Sequence, residues 1–443
     1  MRVLVRISPL IALMGLAAAW AWKERRGILE WVAAPEQDYT TEFELGQDYG
    51  RQGADLTPIW RVALEPGYGG AAIDGDEVFV LDREVGVADT LRVFDLWSGQ
   101  ERWRFRYDAP GRLEFPGSRT TPAVTATHVY LLSSFGHVHC IDRASHEVTW
   151  SCRLEDFGGA LPDFGWAATP LVLGEVVVLP ALGAAVGLVA LDVVSGREVW
   201  RTSGLGSSHS TPVVLDLLGE RHVVFLSAEE QGRGQDSAVP MTVSAFAPDS
   251  GKLLWRATPS GSSVPIPPPV AVDDHRIFVT GGYGGGSTLL SIEKSGDYVV
   301  REVFHVDKGA QLHPPVVLDG YLYLLANENR NDSRVRRHLG GLVCYDLEGN
   351  ELWSTGDAPY MGRGHMLRVG RHLLIQDGLS GFLRFVRAAP DGYHQVFTAN
   401  AFESPPKDRR RMWAPMARAK GTVVVRGERE LACILLGGKP PGN

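Results

Sequence analysis

Apolar and polar residues alternate along most of this chain with a period of two, in short runs bounded by Gly, Pro, Asp and Ser. Such runs read as half-buried β-strands joined by tight turns. The clearest unit is Leu188–Trp200, LVALDVVSGREVW. An alternating run leads to Asp192, then to Gly196, then to Trp200. The same frame recurs as LRVFDLWSGQERW ending at Trp103, VHCIDRASHEVTW ending at Trp150 and VSAFAPDSGKLLW ending at Trp255. A shortened copy, LVCYDLEGNELW, ends at Trp353, and worn copies end at Phe304 and Phe397. Each copy predicts a strand, a tight turn and a second strand.

Upstream of each frame lies a second pair of short strands around a polar turn. TPAVTATHVYLL (121–132), TPLVLGEVVVLP (169–180) and PPVVLDGYLYLL (314–325) are typical. Segments 69–81, 211–226, 268–279, 364–375 and 414–425 repeat the pattern. The aromatic position steps from Trp60 to Phe397 at intervals of about 48 residues, which is the size of a four-stranded propeller blade. The prediction is therefore an all-β, eight-bladed β-propeller of four-stranded antiparallel blades. Residues 427–438 supply a third strand with no Trp strand after it, and 56–64 (LTPIWRVAL) supply a Trp strand with no blade before it. The N-terminal strand is expected to complete the last blade and remove its open edge.

Trp60, Trp103, Trp150, Trp200, Trp255 and Trp353 are expected to be structural, filling the wedge between neighbouring blades. The Gly gives the turn its positive φ, and the Asp caps turn amides. His146 stands in the Gly place, and Ala247 and Arg387 stand in the Asp place, so the frame tolerates variation. Cys140, Cys344 and Cys433 align with Val93, Ala190, Ala245, Ser291 and Phe385 as core fillers on different blades. They are not expected to bridge, and Cys152 has no evident partner.

The ALDxxxGxxxW frame resembles the tryptophan-docking repeat of the pyrroloquinoline-quinone (PQQ) type propellers over residues 54–438. That superfamily includes quinoprotein alcohol dehydrogenases and also cofactor-free propellers, such as the outer-membrane assembly lipoprotein of Gram-negative bacteria. The resemblance implies the fold and leaves the function open between a scaffold and a dehydrogenase.

Residues 1–26 read differently. Arg2 and Arg6 precede an apolar run, Ile7–Trp22, which is followed by Lys23, Arg25 and Arg26. This predicts a secretory signal or an uncleaved membrane anchor. No Cys follows the run, so a bacterial lipid anchor is not expected. Residues 27–53 read as a tether and 439–443 as a C-terminal tail. The expected location is the bacterial periplasm or cell envelope, tethered to the inner membrane by residues 7–22. The net charge of −8 argues against nucleic acid as a partner. A monomer is expected.

Long insertions at 228–241, 281–287, 327–340 and 402–412 fall on one predicted face. The residues before each first strand are expected to ring the channel mouth there. Among them Arg119, Trp166, His209, Gln311, His313, Arg363, Arg411 and Trp413 could hold an anionic or aromatic ligand, or a protein partner. The basic runs 334–338 and 407–411 read as solvated loops or as contacts to anionic lipid or an acidic partner. Quinone catalysis would need what the family's dehydrogenases carry: an adjacent Cys pair, Ca²⁺ held by Glu and Asn, and a catalytic Asp. No two cysteines are adjacent, and the cluster Asn327, Glu328, Asn329, Asp332 has no calcium-loop spacing. HExxH, P-loop, CxxC and GxSxG signatures are also missing. The sequence thus predicts a non-catalytic binding or assembly scaffold without metal or cofactor, with PQQ and Ca²⁺ only under the dehydrogenase alternative.

Overall fold

The computed structural model describes residues 57–228, 239–326, 340–359, 361–402 and 411–436. The predicted N-terminal segment, tether and tail lie outside these residues. So do the 327–332 cluster, the 334–338 run and most of the 407–411 run. Among the described residues no helix is long and apolar enough to cross a membrane.

Eight antiparallel sheets of four strands each form the ring, with one extra short strand pairing onto the fourth. Blade 1 holds Ala71–Asp74, Glu77–Glu84, Ala88–Asp95 and Glu101–Asp108. Blade 8 holds Ala417–Ala419, Thr422–Arg426 and Glu430–Leu435, and its fourth strand is Pro58–Ala63 from the start of the chain. The register pairs Trp60 with Cys433 and Val62 with Leu431, so the predicted closure is present. A buried side chain reinforces that seam: Arg426 Nη1 donates to the carbonyls of Gly69 and Leu81, both at 3.0 Å, on blade 1. The middle strands of each blade are packed on both faces, which is why they read as continuous apolar runs, as in Val176–Pro180 and Leu188–Asp192. Outer strands alternate, as in Glu101–Asp108.

The aromatic frame is the joint between blades. Trp60 Nε1 donates to the Leu96 carbonyl at 2.7 Å, Trp150 to Val193, Trp200 to Pro248 and Trp353 to Ala389, each of these three at 3.0 Å. Each acceptor lies in the turn between the third and fourth strands of the next blade. The Gly of that turn lies flat on the incoming ring. A Cβ on Gly251 (φ +65°) would stand 2.4 Å from Trp200 Cε3, and one on Gly196 would stand 2.6 Å from Trp150. The Gly is therefore required twice, for its positive φ and for its missing side chain. His146 solves the same problem differently. It adopts φ 62° and stacks its ring on Trp103 at 4.3 Å, 11° from parallel. Asp95 caps its turn by accepting the amides of Trp97 and Ser98. Burial alone would raise its pKa, but the Ser98 amide, Arg102 and the Ser98 hydroxyl outweigh that and hold it at about 2.

A β-bulge sits beside the aromatic in all eight blades. Ala190 pairs with Trp200 while Leu191 pairs with Glu198, leaving Val199 unpaired. The equivalent skipped residues include Ile59, Val303, Leu352 and Val396, which accounts for these exposed apolar side chains on the outer strands. A bulge sharpens local twist and re-aims the next side chain, here the docking aromatic. The register also corrects one alignment. In blade 5 the residue opposite Phe304 is Leu289, not Ser291, which pairs with Arg301. The hairpin Gly286–Ser295/Asp297–Val306 is longer than its counterparts, so counting back from its turn misplaces the core position. Val93, Cys140, Ala190, Ala245, Cys344, Phe385 and Cys433 do face the docking aromatics as expected. All four cysteines are free thiols.

Trp200→Ala is expected to lose about 3–5 kcal/mol of stability, the usual cost of emptying a large aromatic site, and Trp97→Ala, outside the frame, much less. Gly251→Ala should cost about 1–3 kcal/mol more than Gly75→Ala. Both glycines have positive φ, but nothing lies within 4 Å of a Cβ at Gly75. Thermal and urea melts of the four variants check this, and equal losses within each pair would refute the docking account. Deleting Pro58–Ala63 should lower the melting temperature of the whole ring, because blade 8 would present an open edge; an unchanged melt would refute closure.

Candidate functional site

The connections from each outer strand to the next innermost strand converge on one end of the channel, because every blade enters the ring from its centre. All eight contribute to a single funnel of about 440 Å³. One side is aromatic and cationic. Tyr68 and Trp413 lie 5.3 Å apart, and Phe115 stands edge-on to Trp413 at 5.7 Å. Arg363 stacks over Trp413 at 4.6 Å, and Arg411 lies over Phe115 at 5.0 Å and Trp413 at 5.7 Å. Arg411 Nη1 donates to the Tyr68 hydroxyl at 3.4 Å, and Arg363 Nη1 to Gln311 Oε1 at 3.3 Å. The opposite wall is apolar, with Val264, Ile266 and Leu312.

A guanidinium stacked on a ring still donates in its own plane while its flat face is covered, as Arg363 does to Gln311 and Arg411 to Tyr68. The funnel is therefore cationic and flat-walled at once. Arg119 is more confined: its Nη2 donates to the Phe115 carbonyl, and its buried Nε has no partner. Burial lowers its pKa to about 10, so it stays charged at neutral pH. The histidines are the reverse case. Burial pulls His209 and His313 down to about 4, outweighing for His313 the bond of Nε2 to the Trp413 carbonyl at 2.9 Å. His365, 4.5 Å from His313, is held well below its ordinary value by burial and by that neighbour. Its Nδ1 accepts the Met416 amide at 3.0 Å. These rings are neutral hydrogen-bonding groups at pH 7. His209 Nδ1 is buried without a partner.

Arg119, His209, Gln311, His313, Arg363 and Trp413 line the funnel, and Arg411 stands against its aromatic wall. Trp166 does not. It is 1% exposed and packs in the core between blades 2 and 3, beside Tyr130 and Leu179. Phe164, two residues earlier, takes the funnel position. Gly165 between them (φ +74°) turns the chain so that the two rings point opposite ways. Phe115, Phe164 and His365 were not among the sequence candidates. The signal for the first two is an aromatic beside Gly or Pro in the connection before an innermost strand. The segment 281–287 is a tight hairpin, since strands end at Gly281 and restart at Gly286. It is not a long insertion. Residues 229–238, 327–339 and 403–410 of the other insertions lie outside the described residues.

No carboxylate is among the described residues that line the funnel. A calcium-bound quinone needs acidic oxygen ligands, and the cations beside Trp413 oppose a divalent metal there. The described lining offers such a cofactor no acidic ligand. Asp273, Asp274 and His275 gather elsewhere, at an exposed turn where Asp273 already binds Arg276 at 2.7 Å.

Comparison with known proteins locates the chain. The sequence model of the family described as outer membrane protein assembly factor BamB matches residues 87–234 and 241–389. No curated protein matches the chain. Among solved structures, BamB from Moraxella catarrhalis aligns with a TM-score of 0.57 at 14% identity, covering 85% of this chain and 96% of its own. A europium-containing methanol dehydrogenase aligns at 0.53 and 12% identity over 85% and 93%. Quinohemoprotein alcohol dehydrogenase from Comamonas testosteroni aligns at 0.54 and 14% over 86% and 77%. At these identities the structural likeness speaks for the fold.

The histidine shifts have a definite sign. A pKa lowered on folding means that the unfolded chain binds more protons between the ordinary value of 6.5 and the folded value of about 4. The stability these neutral rings contribute is complete above pH 6.5 and is lost as pH falls towards 4. Melting temperature should therefore fall over that window, and His313→Gln should flatten the fall. An identical pH profile for the variant would contradict the assignment.

Proposed function

The chain belongs to the family of the outer membrane protein assembly factor BamB, and on that premise we propose that it is a non-catalytic, exported scaffold that captures a protein partner at its funnel face. The observation that carries this reading is the funnel itself: stacked arginines on an aromatic wall, with no acidic residue in the described lining. Such a surface suits a partner that offers acidic and aromatic side chains. Arg and aromatic residues are also the types that dominate binding energy at interfaces. The proposed setting is the cell envelope, with residues 7–22 as the tether and the propeller as a monomer. The apolar run at 7–22 between Arg6 and Lys23 supports the tether.

A general acid or base chemistry at this site has little to work with. The described funnel offers neutral buried histidines and permanently charged guanidiniums, and no carboxylate to share a proton with either.

The test is a cross-linking capture from the cell envelope with the full-length chain. Arg363→Glu with Arg411→Glu should abolish capture of the partner, and Arg197→Glu with Lys252→Glu, on the opposite turns, should leave it intact. Loss only in the second pair would overturn the choice of face. Dye-linked alcohol oxidation by the wild type after loading with PQQ and Ca²⁺ would overturn the non-catalytic reading.

A further inference from the structure

The joint between blades 4 and 5 departs from the frame. The aromatic of blade 4 is Trp255, but the turn that should receive it sits at the far end of the long hairpin Gly286–Ser295/Asp297–Val306. The glycine of that turn, Gly296, has nothing within 4 Å of a Cβ, whereas Gly196 and Gly251 lie on their indoles. Trp255 Nε1 donates instead to His222 Nδ1 of its own blade, at 3.1 Å. The hairpin folds back over this pair. Tyr298 and Val300 pack on the cluster that holds Trp255, and the Tyr298 ring stands edge-on to His222 at 5.3 Å. The Tyr298 hydroxyl donates to Glu220 at 2.5 Å and lies 3.3 Å from His222 Nε2. Lys294 Nζ donates to the same Glu220 at 2.6 Å.

An indole N–H can only donate, so His222 Nδ1 must accept, and the neutral ring carries its proton on Nε2, facing the Tyr298 oxygen. His222 is fully buried. A second proton on its ring would set one donor against another across the 3.1 Å contact. We propose that His222 is an acid-released latch: protonating its imidazole breaks the bond to Trp255 and frees the outer half of the 286–306 hairpin from blade 4. The groups around it set the direction. Burial lowers the pKa of His222 from the ordinary 6.5, Glu220 on its own strand raises it, and Lys294 on the hairpin lowers it. The folded ring therefore holds a proton less well than the unfolded one, so the latch is complete above pH 6.5 and is lost as pH falls below it. The other hairpin strand presents Tyr298, and Leu253–Ala257 presents the Trp255 indole. At the neighbouring turns Arg221 faces Asp216 at 3.7 Å, Arg276 binds Asp273 at 2.7 Å, and His275 meets Asp274 at 2.7 Å. The latch lies at the turns opposite the funnel and does not depend on what is captured there.

The test follows the Trp255 indole itself. The full-length chain, in non-ionic detergent and labelled with nitrogen-15 at tryptophan, is titrated by nuclear magnetic resonance from about pH 8 to about pH 4.5. Trp255→Phe assigns the resonance. The Trp255 indole signal should move in one step below pH 6.5, as its hydrogen bond is lost. His222→Asn puts an amide oxygen where Nδ1 sits and does not titrate, so its signal should hold still throughout. Glu220→Gln should shift the step to lower pH and Lys294→Met to higher pH, following the two charges. These two surface variants keep His222, so the test stands even where His222→Asn folds poorly. Hydrogen exchange of peptides within 297–306 gives a second readout. Wild type and His222→Asn are compared at the same pH, so intrinsic rates cancel. They should match at about pH 7.5, and the wild type should exchange about tenfold faster at about pH 5. Four outcomes would each overturn the latch: a Trp255 signal indifferent to pH, a step that persists in His222→Asn, shifts of the two surface variants in one direction, or exchange that rises equally in both chains. None of these outcomes bears on capture at the funnel.

Discussion

Everything in this molecule hangs on a contact about one ring wide. An indole from the outer strand of one blade lies on a bare glycine in the next, with its N–H aimed at a carbonyl of the same turn. Each blade is a small sheet with two apolar faces, and neither face can be covered from within the blade. The indole fixes how far apart and at what angle two blades meet. Repeated around the ring, that angle fixes the blade number, the width of the channel and the place where the innermost strands begin. The bulge before each aromatic belongs to the same device. It turns the outer strand so that the ring, and not the preceding Val or Leu, faces the neighbour.

This is why the fold was so open to reading. Asp192, Gly196 and Trp200 are each tied to a backbone requirement that other residues meet poorly, so the frame survives even where the rest of a blade drifts. The bulge was invisible, because Val199 alternates in the sequence like any strand residue and only its skipped pairing marks it. Blade 5 misled for a related reason. Its long hairpin moves the turn relative to the core, so counting along the sequence puts Ser291 where Leu289 sits. The funnel residues that follow from strand counting, such as His313 and Arg363, were within reach of the sequence. Phe164 and Trp166 were not separable, since which of the two faces the channel depends on the φ of Gly165.

The chain carries a net charge of −8, yet gathers stacked guanidiniums at the mouth of its channel. A cationic cleft with apolar walls focuses its field outward, while the acidic remainder repels anions that approach elsewhere. A negative group would meet a favourable field at the mouth and an unfavourable one on the body. The neutral histidines fit this arrangement: protonating His313 or His209 would add charge to a site already crowded with it, and burial prevents that at neutral pH.

Of the described strands, the one that completes blade 8 comes first in the chain and is the last able to pair. Until Glu430–Leu435 exists, Pro58–Ala63 has nothing to pair with, and Arg426 has not reached the carbonyls of Gly69 and Leu81. The thermodynamic cost of so long a loop is small, because closure entropy grows only with the logarithm of length. The kinetic cost is not. A growing chain of six or seven blades is a curved stack with two raw ends, each able to pair with another such stack. For this protein, then, the vulnerable interval is the time between the first blade and the last. Its safe production depends on how long the nascent chain is shielded from its own copies.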